Sequence, residues 1–276
     1  MINCVVFSKD RAMQLELLLR SICDNFKELK NVSIICKGTT EEYVAGYAKV
    51  SKMYPQFTWI PENNLIEDVQ RVVNGFDKKC CMTLVDDEIV IRDHSIAPLV
   101  TAMEMDNGLH CASLRLGKNI GDYCYTADIK GTIPELTQHG DLYKWDWTTG
   151  DNRVDFFYPS CINSHIYRTE FLKDWINKIT FGNINDLEGT LNSNISSFKH
   201  YMICLEKSKT VNIANNLVQS GYNRHSDKKE FSLDVLNNKF LDGYVIDSSD
   251  FYNINNDIAT FEKDYRLIDG SSNKQQ

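Results

Sequence analysis

Three acidic residues follow one another where an apolar segment of the chain ends. Asp86, Asp87 and Glu88 come directly after residues 80–85, CCMTLV, which are apolar almost throughout. Carboxylate oxygens are the ligands that Mg²⁺ and Mn²⁺ prefer, and such an ion can offset the negative charge on a departing diphosphate. Because alternate residues of an extended chain face the same side, Asp86 and Glu88 are expected to hold one metal ion, with Asp87 turned toward a ribose.

The same triplet has a simpler interpretation, which is a solvated acidic turn. Its position favours the functional interpretation. The preceding run is typical of a strand covered on both faces, and open α/β sheets bind their ligands beyond the carboxyl ends of such strands. We therefore expect the triplet at the edge of a binding cleft.

The elements that would position these acids alternate between strands and helices. Strands are predicted at residues 4–7, 32–36, 57–60 and 80–85. The first and third are each followed by apolar residues at helical spacing, and Asp10 is expected to be the N-cap of the first helix. This alternation predicts an α/β fold with a central mixed, mostly parallel sheet flanked by helices.

Charge and hydropathy exclude some classes of partner. The formal net charge is −8 and the sequence pI is about 5.3, whereas affinity for nucleic acid depends on Lys and Arg that neutralise phosphates. We therefore expect no nucleic-acid partner. No apolar run approaches the roughly 18 residues of a transmembrane helix, so any membrane contact is expected to be peripheral.

The cysteines indicate a reducing compartment. There are nine, an odd number, and most lie in apolar runs without CxxC spacing. Such cysteines behave as small buried hydrophobic residues rather than as a disulfide framework or a zinc site. With no N-terminal segment of the signal-peptide type, the sequence predicts a cytoplasmic location.

Several stretches carry motifs whose order matters more than any one of them. They are VVFSKDR, TLVDDEIVI, FFYPSCINSHIYRTEFL with FGNINDLEGTL, and MICLEKSKTVNIANNLVQ. In this order they resemble GT-A-type glycosyltransferases of a bacterial and viral group, over most of residues 1–225. In that family the first strand ends in a nucleotide-contacting turn and a middle strand ends in an Asp-x-Asp-like metal motif.

The resemblance implies a GT-A-like fold and a metal-dependent, hexosyltransferase-like activity. A sugar would pass from a nucleoside diphosphate donor to a hydroxyl of a glycan or lipid-linked acceptor, with Mn²⁺ or Mg²⁺ as cofactor. Glu88 departs from the pattern because the family usually has Asp at that place. It remains open whether Asp87 or Glu88 is the main metal ligand.

Nucleotide contacts are also implied by the resemblance. Ser8 and Arg11 would meet the nucleotide, together with Asp86 and Asp87, and Lys37 would lie beside the base or ribose. Arg suits a diphosphate because its planar donors bind oxygens in pairs. The alternative is that the residues around Arg11 only begin a helix.

Catalytic and further ligand roles follow from the same family pattern. Glu188, and after it Asp186, would be the base that takes a proton from the acceptor hydroxyl. Either could instead be an acid favoured at a helix start. His225 would be a metal ligand and His165 a substrate contact, although a lone histidine is more often a hydrogen-bonded structural residue.

Two tryptophans in YKWDW are candidates for sugar binding. Trp145 and Trp147 could stack on the C–H face of a saccharide, and both would point the same way along an extended segment. Core packing is the alternative, because tryptophan is buried on average in any fold.

The predicted organisation is one catalytic domain with an extension. The domain spans residues 1–226, with a nucleotide-binding half at about 1–117 and an acceptor half at about 118–226. A C-terminal extension over 227–276 follows, with its last residues disordered.

Two rival functions stay open. A sugar nucleotidyltransferase shares such a sheet but normally opens with a Gly-rich phosphate-binding loop, and residues 8–11 contain no glycine. A non-catalytic protein that binds a glycan or nucleotide with the same fold is the other alternative.

Overall fold

The computed structural model describes residues 2–93, 95–151, 153–193, 198–218 and 224–270. The first part of the chain alternates between strands and helices: β1 (Asn3–Lys9), α1 (Ala12–Asn25), β2 (Asn31–Lys37), α2 (Glu41–Met53), β3 (Thr58–Pro61), α3 (Leu65–Asn74) and β4 (Cys80–Val85). The helix α2 was not predicted from the sequence. Side chains define two of the helix starts, because Thr40 and Asn64 accept hydrogen bonds from free backbone N–H groups of α2 and α3.

The remaining elements are shorter and less regular. As far as residue 146 they are β5 (Glu88–Val90), α4 (Ala97–Met105), β6 (Leu109–Gly117), β7 (Tyr123–Cys124), β8 (Ile129–Lys130), β9 (Thr137–His139) and β10 (Leu142–Asp146). The later ones are β11 (His165–Arg168), α5 (Thr169–Ile176), α6 (Ile184–Asn192), β12 (Tyr201–Leu205), β13 (Thr210–Ile213), α7 (Leu233–Leu241), β14 (Tyr244–Ile246), β15 (Thr260–Phe261) and β16 (Leu267–Asp269).

One large sheet organises the described residues. Its strand order is β3-β2-β1-β4-β11-β6-β12-β10-β9, and only β10 and β11 run against the other strands. The expected α/β fold with a mixed, mostly parallel sheet flanked by helices is confirmed. In the register, Lys9 lies beside Lys37 and Phe7 beside Val85, so β1, β2 and β4 end at the same edge.

Hydrophobic residues cover both faces of this sheet. Along β1, Cys4 and Val6 belong to the cluster that contains α1, and Val5 and Phe7 to the cluster that contains apolar residues of α3, α5 and α6. This period-two division explains why β1 and β4 read as continuous apolar runs, since each strand is buried on both sides.

The C-terminal residues join the first of these clusters. Phe231, Phe240, Phe251 and Tyr265 pack there with apolar residues of α1. β15 also pairs with β13, which pairs with β5, in a three-stranded sheet beside the large one. The expected disorder of the chain end concerns residues 271–276, which lie outside the described residues, and the division of the chain at residue 226 stays a prediction.

Two further features bear on the sequence predictions. Among the residues that the structure describes, no helix combines the length and the apolar character needed to cross a membrane. All nine cysteines are free, and only Cys23 is exposed.

Candidate active site

A cleft of about 600 Å³ opens at the edge where β1, β2 and β4 end. Strand ends supply Ser8, Lys37 and Asp86 to its wall, and α6 supplies Glu188. The sequence candidates that line it are Ser8, Arg11, Lys37, Asp86, Asp87, Glu188 and His225. The expected position at the carboxyl ends of parallel strands is therefore where the cleft lies.

Asp86 is held by the turn that follows β1. Its Oδ2 accepts a hydrogen bond from Ser8 Oγ at 2.8 Å and another from the Lys9 backbone N–H at 3.0 Å. The residue is only 5% exposed, and burial raises the pKa of its carboxyl group, while the positive charge of Arg11 acts in the opposite direction. These contacts fix the carboxylate in the cleft wall.

Arg11 bridges the two aspartates. Its Nη1 donates to Asp86 Oδ1 at 2.9 Å and to Asp87 Oδ2 at 3.0 Å. Its Nε donates to Asn216 Oδ1 at 2.9 Å, and its Nη2 donates to the backbone oxygen of Asn216. Asn212 donates to the other oxygen of Asp87 at 3.0 Å. The segment around β13, which is distant from Arg11 and Asp86 in the sequence, thus contributes two residues that hold them in place.

Tyr47 of α2 supports the β1 turn from behind. Its hydroxyl lies 2.7 Å from Ser8 Oγ and accepts a hydrogen bond from the Arg11 backbone N–H at 3.2 Å. The residue is buried, so this hydroxyl transmits the position of α2 to Ser8 and, through Ser8, to Asp86.

The expected capping role of Asp10 is wrong. Arg11 occupies the N-cap position of α1 without a side-chain cap, and Asp10 has a φ of 56°. The Asp10 carboxylate instead accepts hydrogen bonds from Thr39 N–H at 2.7 Å and Thr39 Oγ1 at 2.9 Å. Asp10 therefore ties the β1 turn to the loop after β2.

The expectation that Asp86 and Glu88 share one face needs correction. Asp86 and Asp87 form a turn, so the chain is not extended there, and Glu88 begins β5, where it pairs with Asn212 of β13. Glu88 is 0% exposed and does not belong to the cleft wall. Its carboxyl group accepts hydrogen bonds from the Val85 N–H at 2.9 Å and from Ser164 Oγ, and burial raises its pKa to about 8.

The two candidate bases have different surroundings. Asp186 is exposed and lies outside the cleft wall, where it accepts hydrogen bonds from Asn183 Nδ2 at 2.8 Å and Gly182 N–H at 3.2 Å, as a helix-start acid does. Glu188 lines the cleft, and burial raises its pKa to about 7, while a hydrogen bond with Cys161 and the charge of Arg115 act in the opposite direction. Only Glu188 faces the space where a substrate would lie.

Three predicted substrate contacts lie in the core instead. Trp145 and Trp147 are buried, and their indole N–H groups donate to the backbone oxygens of Phe156 at 2.7 Å and Lys199 at 2.6 Å. His165 is also buried, within β11, with its Nδ1 2.8 Å from the oxygen of Asn163. None of the three belongs to the cleft wall. The alternative of core packing therefore describes the two tryptophans, and the alternative of a hydrogen-bonded structural residue describes His165.

The residues present do not fit the metal site expected from Asp86, Glu88 and His225. Across the described ranges, no three His, Cys, Asp or Glu side chains meet as a group that could hold a metal ion. His225 lines the cleft, but Glu88 faces away from it, and Asp86 and Asp87 already share the Arg11 guanidinium.

Sequence reasoning missed several polar residues of the cleft. Arg115 of β6 is 4% exposed, and its guanidinium forms an ion pair with Asp155 at 2.9 Å and donates to Thr260 Oγ1 at 3.1 Å. A charged residue inside the apolar run CASLRLG was the signal that could have identified it. Lys37 donates to Glu62 at 2.8 Å, and Glu62 lies just beyond β3, where no sequence motif marks it.

The chain is similar in sequence to one curated glycosyltransferase. No protein-family model matches the chain. It is 28% identical over 197 residues to the bifunctional glycosyltransferase pgtA of Dictyostelium discoideum, an alignment that covers 64% of this chain and 25% of that protein. The chain therefore spans about a quarter of the length of this curated relative.

Solved structures with a similar chain path have low identity. TarS of S. aureus, residues 1–349, is 13% identical with a TM-score of 0.45, over 76% of this chain and 60% of that chain. The mannosyltransferase PcManGT of Pyrobaculum calidifontis, in complex with GDP-Man and Mn²⁺, is 9% identical with a TM-score of 0.40, over 75% and 55% of the chains. A 4-diphosphocytidyl-2C-methyl-D-erythritol synthase is 7% identical with a TM-score of 0.42, over 86% and 97% of the chains.

The resemblance to glycosyltransferases that the motifs predicted is confirmed by the similarity of this chain to a curated glycosyltransferase.

Proposed function

We propose that the protein transfers a sugar from a nucleoside diphosphate sugar to a hydroxyl of a glycan or lipid-linked acceptor. The observation that carries the proposal is the convergence of three elements on one cleft: the turn after β1, the Asp86–Asp87 turn after β4, and Glu188 of α6. The similarity to a curated glycosyltransferase supports the same reaction class.

The donor nucleotide is assigned to the strand-end side of the cleft. Phe7, Ile35 and Leu65 form an apolar wall there for a base, beside the Lys37–Glu62 ion pair. We assign Ser8 and Asp86 to the ribose, and the cations Lys9 and Arg224 to the diphosphate. In this arrangement the anomeric carbon points toward the wall that contains Glu188.

Glu188 is assigned as the catalytic base of an inverting transfer. It takes the proton from the acceptor hydroxyl, whose oxygen bonds to the anomeric carbon as the bond from that carbon to the diphosphate oxygen breaks. A base with a pKa of about 7 is half ionised near neutral pH and still a good proton acceptor, so burial gives Glu188 a value suited to this step. Transfer should increase with pH through this range.

The proposed transfer does not require a metal ion. Mn²⁺ or Mg²⁺ was expected from the sequence, but Arg11 lies between the two aspartates that would bind it, so no step of the proposed transfer depends on a metal ion. A cytoplasmic location remains a prediction from the cysteine pattern.

The test compares two acids of the same helix. Purified protein is screened with radiolabelled nucleoside diphosphate sugars for donor hydrolysis and transfer, and nucleotide binding is followed by thermal shift. Glu188→Gln should lower turnover by about 10²- to 10⁴-fold while nucleotide binding is retained. Asp186→Asn is the matched control and should keep activity.

Two results would contradict the proposal. Nucleotide binding without turnover for any donor would favour the non-catalytic alternative. Equal loss of activity in the Glu188 and Asp186 variants would mean that the position of Glu188 in the cleft is not what matters.

A further inference from the structure

The acid pair Asp86–Asp87 already has a cation, the guanidinium of Arg11. One nitrogen, Nη1, lies 2.9 Å from Asp86 Oδ1 and 3.0 Å from Asp87 Oδ2. The Arg11 side chain is 9% exposed, and its guanidinium keeps its charge at any accessible pH, because an arginine does not lose its proton in proteins. A positive charge is therefore built in between the two carboxylates.

Arg11 is fixed in this place from two directions. Its backbone N–H is bound by the Tyr47 hydroxyl at 3.2 Å, and the far side of its guanidinium donates to both the side chain and the backbone of Asn216. A freely moving arginine could swing away when a metal ion arrives. This one would have to give up its contacts with Asn216 as well as those with the acids.

The remaining carboxylate oxygens also have donors. Asp86 Oδ2 accepts from Ser8 and Lys9, and Asp87 Oδ1 accepts from Asn212 at 3.0 Å. A divalent ion would have to share or displace these hydrogen bonds and then stand next to a fixed positive charge, where like charges repel. The third acid, Glu88, offers no help because its carboxyl group faces the core.

We propose that Arg11 is the resident cation of this acid pair and excludes Mn²⁺ and Mg²⁺ from it. The free protein then has no divalent-ion site at the end of β4. A nucleoside diphosphate is bound without a metal ion, its charge met by side chains of the cleft such as Lys9 and Arg224. This second statement rests on the proposed function, whereas the first does not.

The first experiment titrates the protein with Mn²⁺ alone and measures free Mn²⁺ by electron paramagnetic resonance. Wild-type protein should leave the free signal unchanged. Arg11→Met removes the charge at similar chain length and should create a Mn²⁺ site, with binding at least about tenfold stronger than in wild type. Arg71→Met, which removes an exposed arginine that pairs with the buried Asp68 on α3, is the control and should behave as wild type.

Each outcome decides the first statement. Mn²⁺ binding by wild type that disappears in Asp87→Asn would overturn it, as would a folded Arg11→Met protein that binds no Mn²⁺. Support requires that Mn²⁺ binding gained in Arg11→Met is lost again when Asp87→Asn is added. Arg11→Lys keeps a positive charge and should remain without binding, and the wild-type titration is informative even if Arg11→Met does not fold.

The second experiment measures binding of UDP and GDP with EDTA and with Mn²⁺. A nucleotide that binds should have the same affinity in both conditions, and a loss of about tenfold or more in EDTA would overturn the second statement. If neither nucleotide binds in any condition, the proposed function fails, and the Mn²⁺ titrations still decide the role of Arg11.

Discussion

Glu88 provides a quantitative test of the buried-acid geometry. Its carboxyl group is 0% exposed, and burial raises its pKa to about 8 from an ordinary value of 4.5. The folded protein therefore binds a proton at Glu88 that the unfolded chain releases above pH 4.5. The contribution of this group to stability is complete below that pH and is lost as the pH rises toward 8.

The perturbation is Glu88→Gln, which carries the shape of the protonated acid and does not titrate. Its amide oxygen can accept from Val85 N–H, and its NH₂ group can donate to Ser164 Oγ. At pH 7 the unfolded glutamate is about 2.5 pH units above its pKa, so at about 1.4 kcal/mol per unit the variant should be more stable than wild type by about 3 kcal/mol. Below pH 4.5 the difference should disappear.

Stability is measured by urea denaturation in steps of half a pH unit from pH 4.5 to 8. Sugar transfer is measured separately on the same protein preparations. The stability difference should grow by about 1.4 kcal/mol per pH unit up to near pH 7.5. Glu104→Gln, at an exposed position, is the control and should give a flat difference. Because Glu88 does not line the cleft, activity should be retained. A stability difference between variant and wild type that does not change with pH would show that Glu88 is ionised and paired. A variant less stable than wild type at pH 7 would show the same.

Two further predictions concern buried polar side chains. Burial lowers the pKa of His110 to about 3 from 6.5, so the unfolded chain takes up a proton below pH 6.5 that the folded protein does not, and stability is lost as the pH falls. His110→Phe does not titrate and can keep the stacking on Phe198. In urea denaturation this variant should be more stable than wild type by about 2 kcal/mol at pH 5 and by much less at pH 8. Tyr47→Phe removes the hydroxyl group that forms hydrogen bonds with Ser8 and Arg11. The variant should lose about 1–3 kcal/mol of stability and bind the nucleotide more weakly. Unchanged stability and nucleotide binding would show that Ser8 and Asp86 keep their positions without this hydroxyl group.

Local sequence pattern accounted for the elements with continuous burial. Residues 80–85 were predicted as a strand, and β4 has these bounds, because a strand covered on both faces needs apolar residues throughout. The same pattern located the strand ends and so the side of the sheet that carries the cleft.

The orientation of Glu88 could not be read locally. It depends on the turn at Asp86 and Asp87 and on pairing with Asn212, which lies more than a hundred residues further along the chain. Likewise, Trp145 was an ambiguous candidate until its strand was paired with β12 on one side and its N–H was placed at the oxygen of Phe156. Contacts between distant segments decided these side chains, and a single sequence does not record them.

The packing of the C-terminal residues on α1 has a consequence for how the chain matures. The helix α1 packs against α7 and β14 and shares one hydrophobic cluster with Phe240, Phe251 and Tyr265, all of which leave the ribosome well after α1. Until these residues have been synthesised, the N-terminal half of the chain exposes the apolar side chains of α1 and cannot reach its folded state. A protein cut at residue 226 would keep every acid of the cleft yet be expected to aggregate, so expression trials should retain the tail.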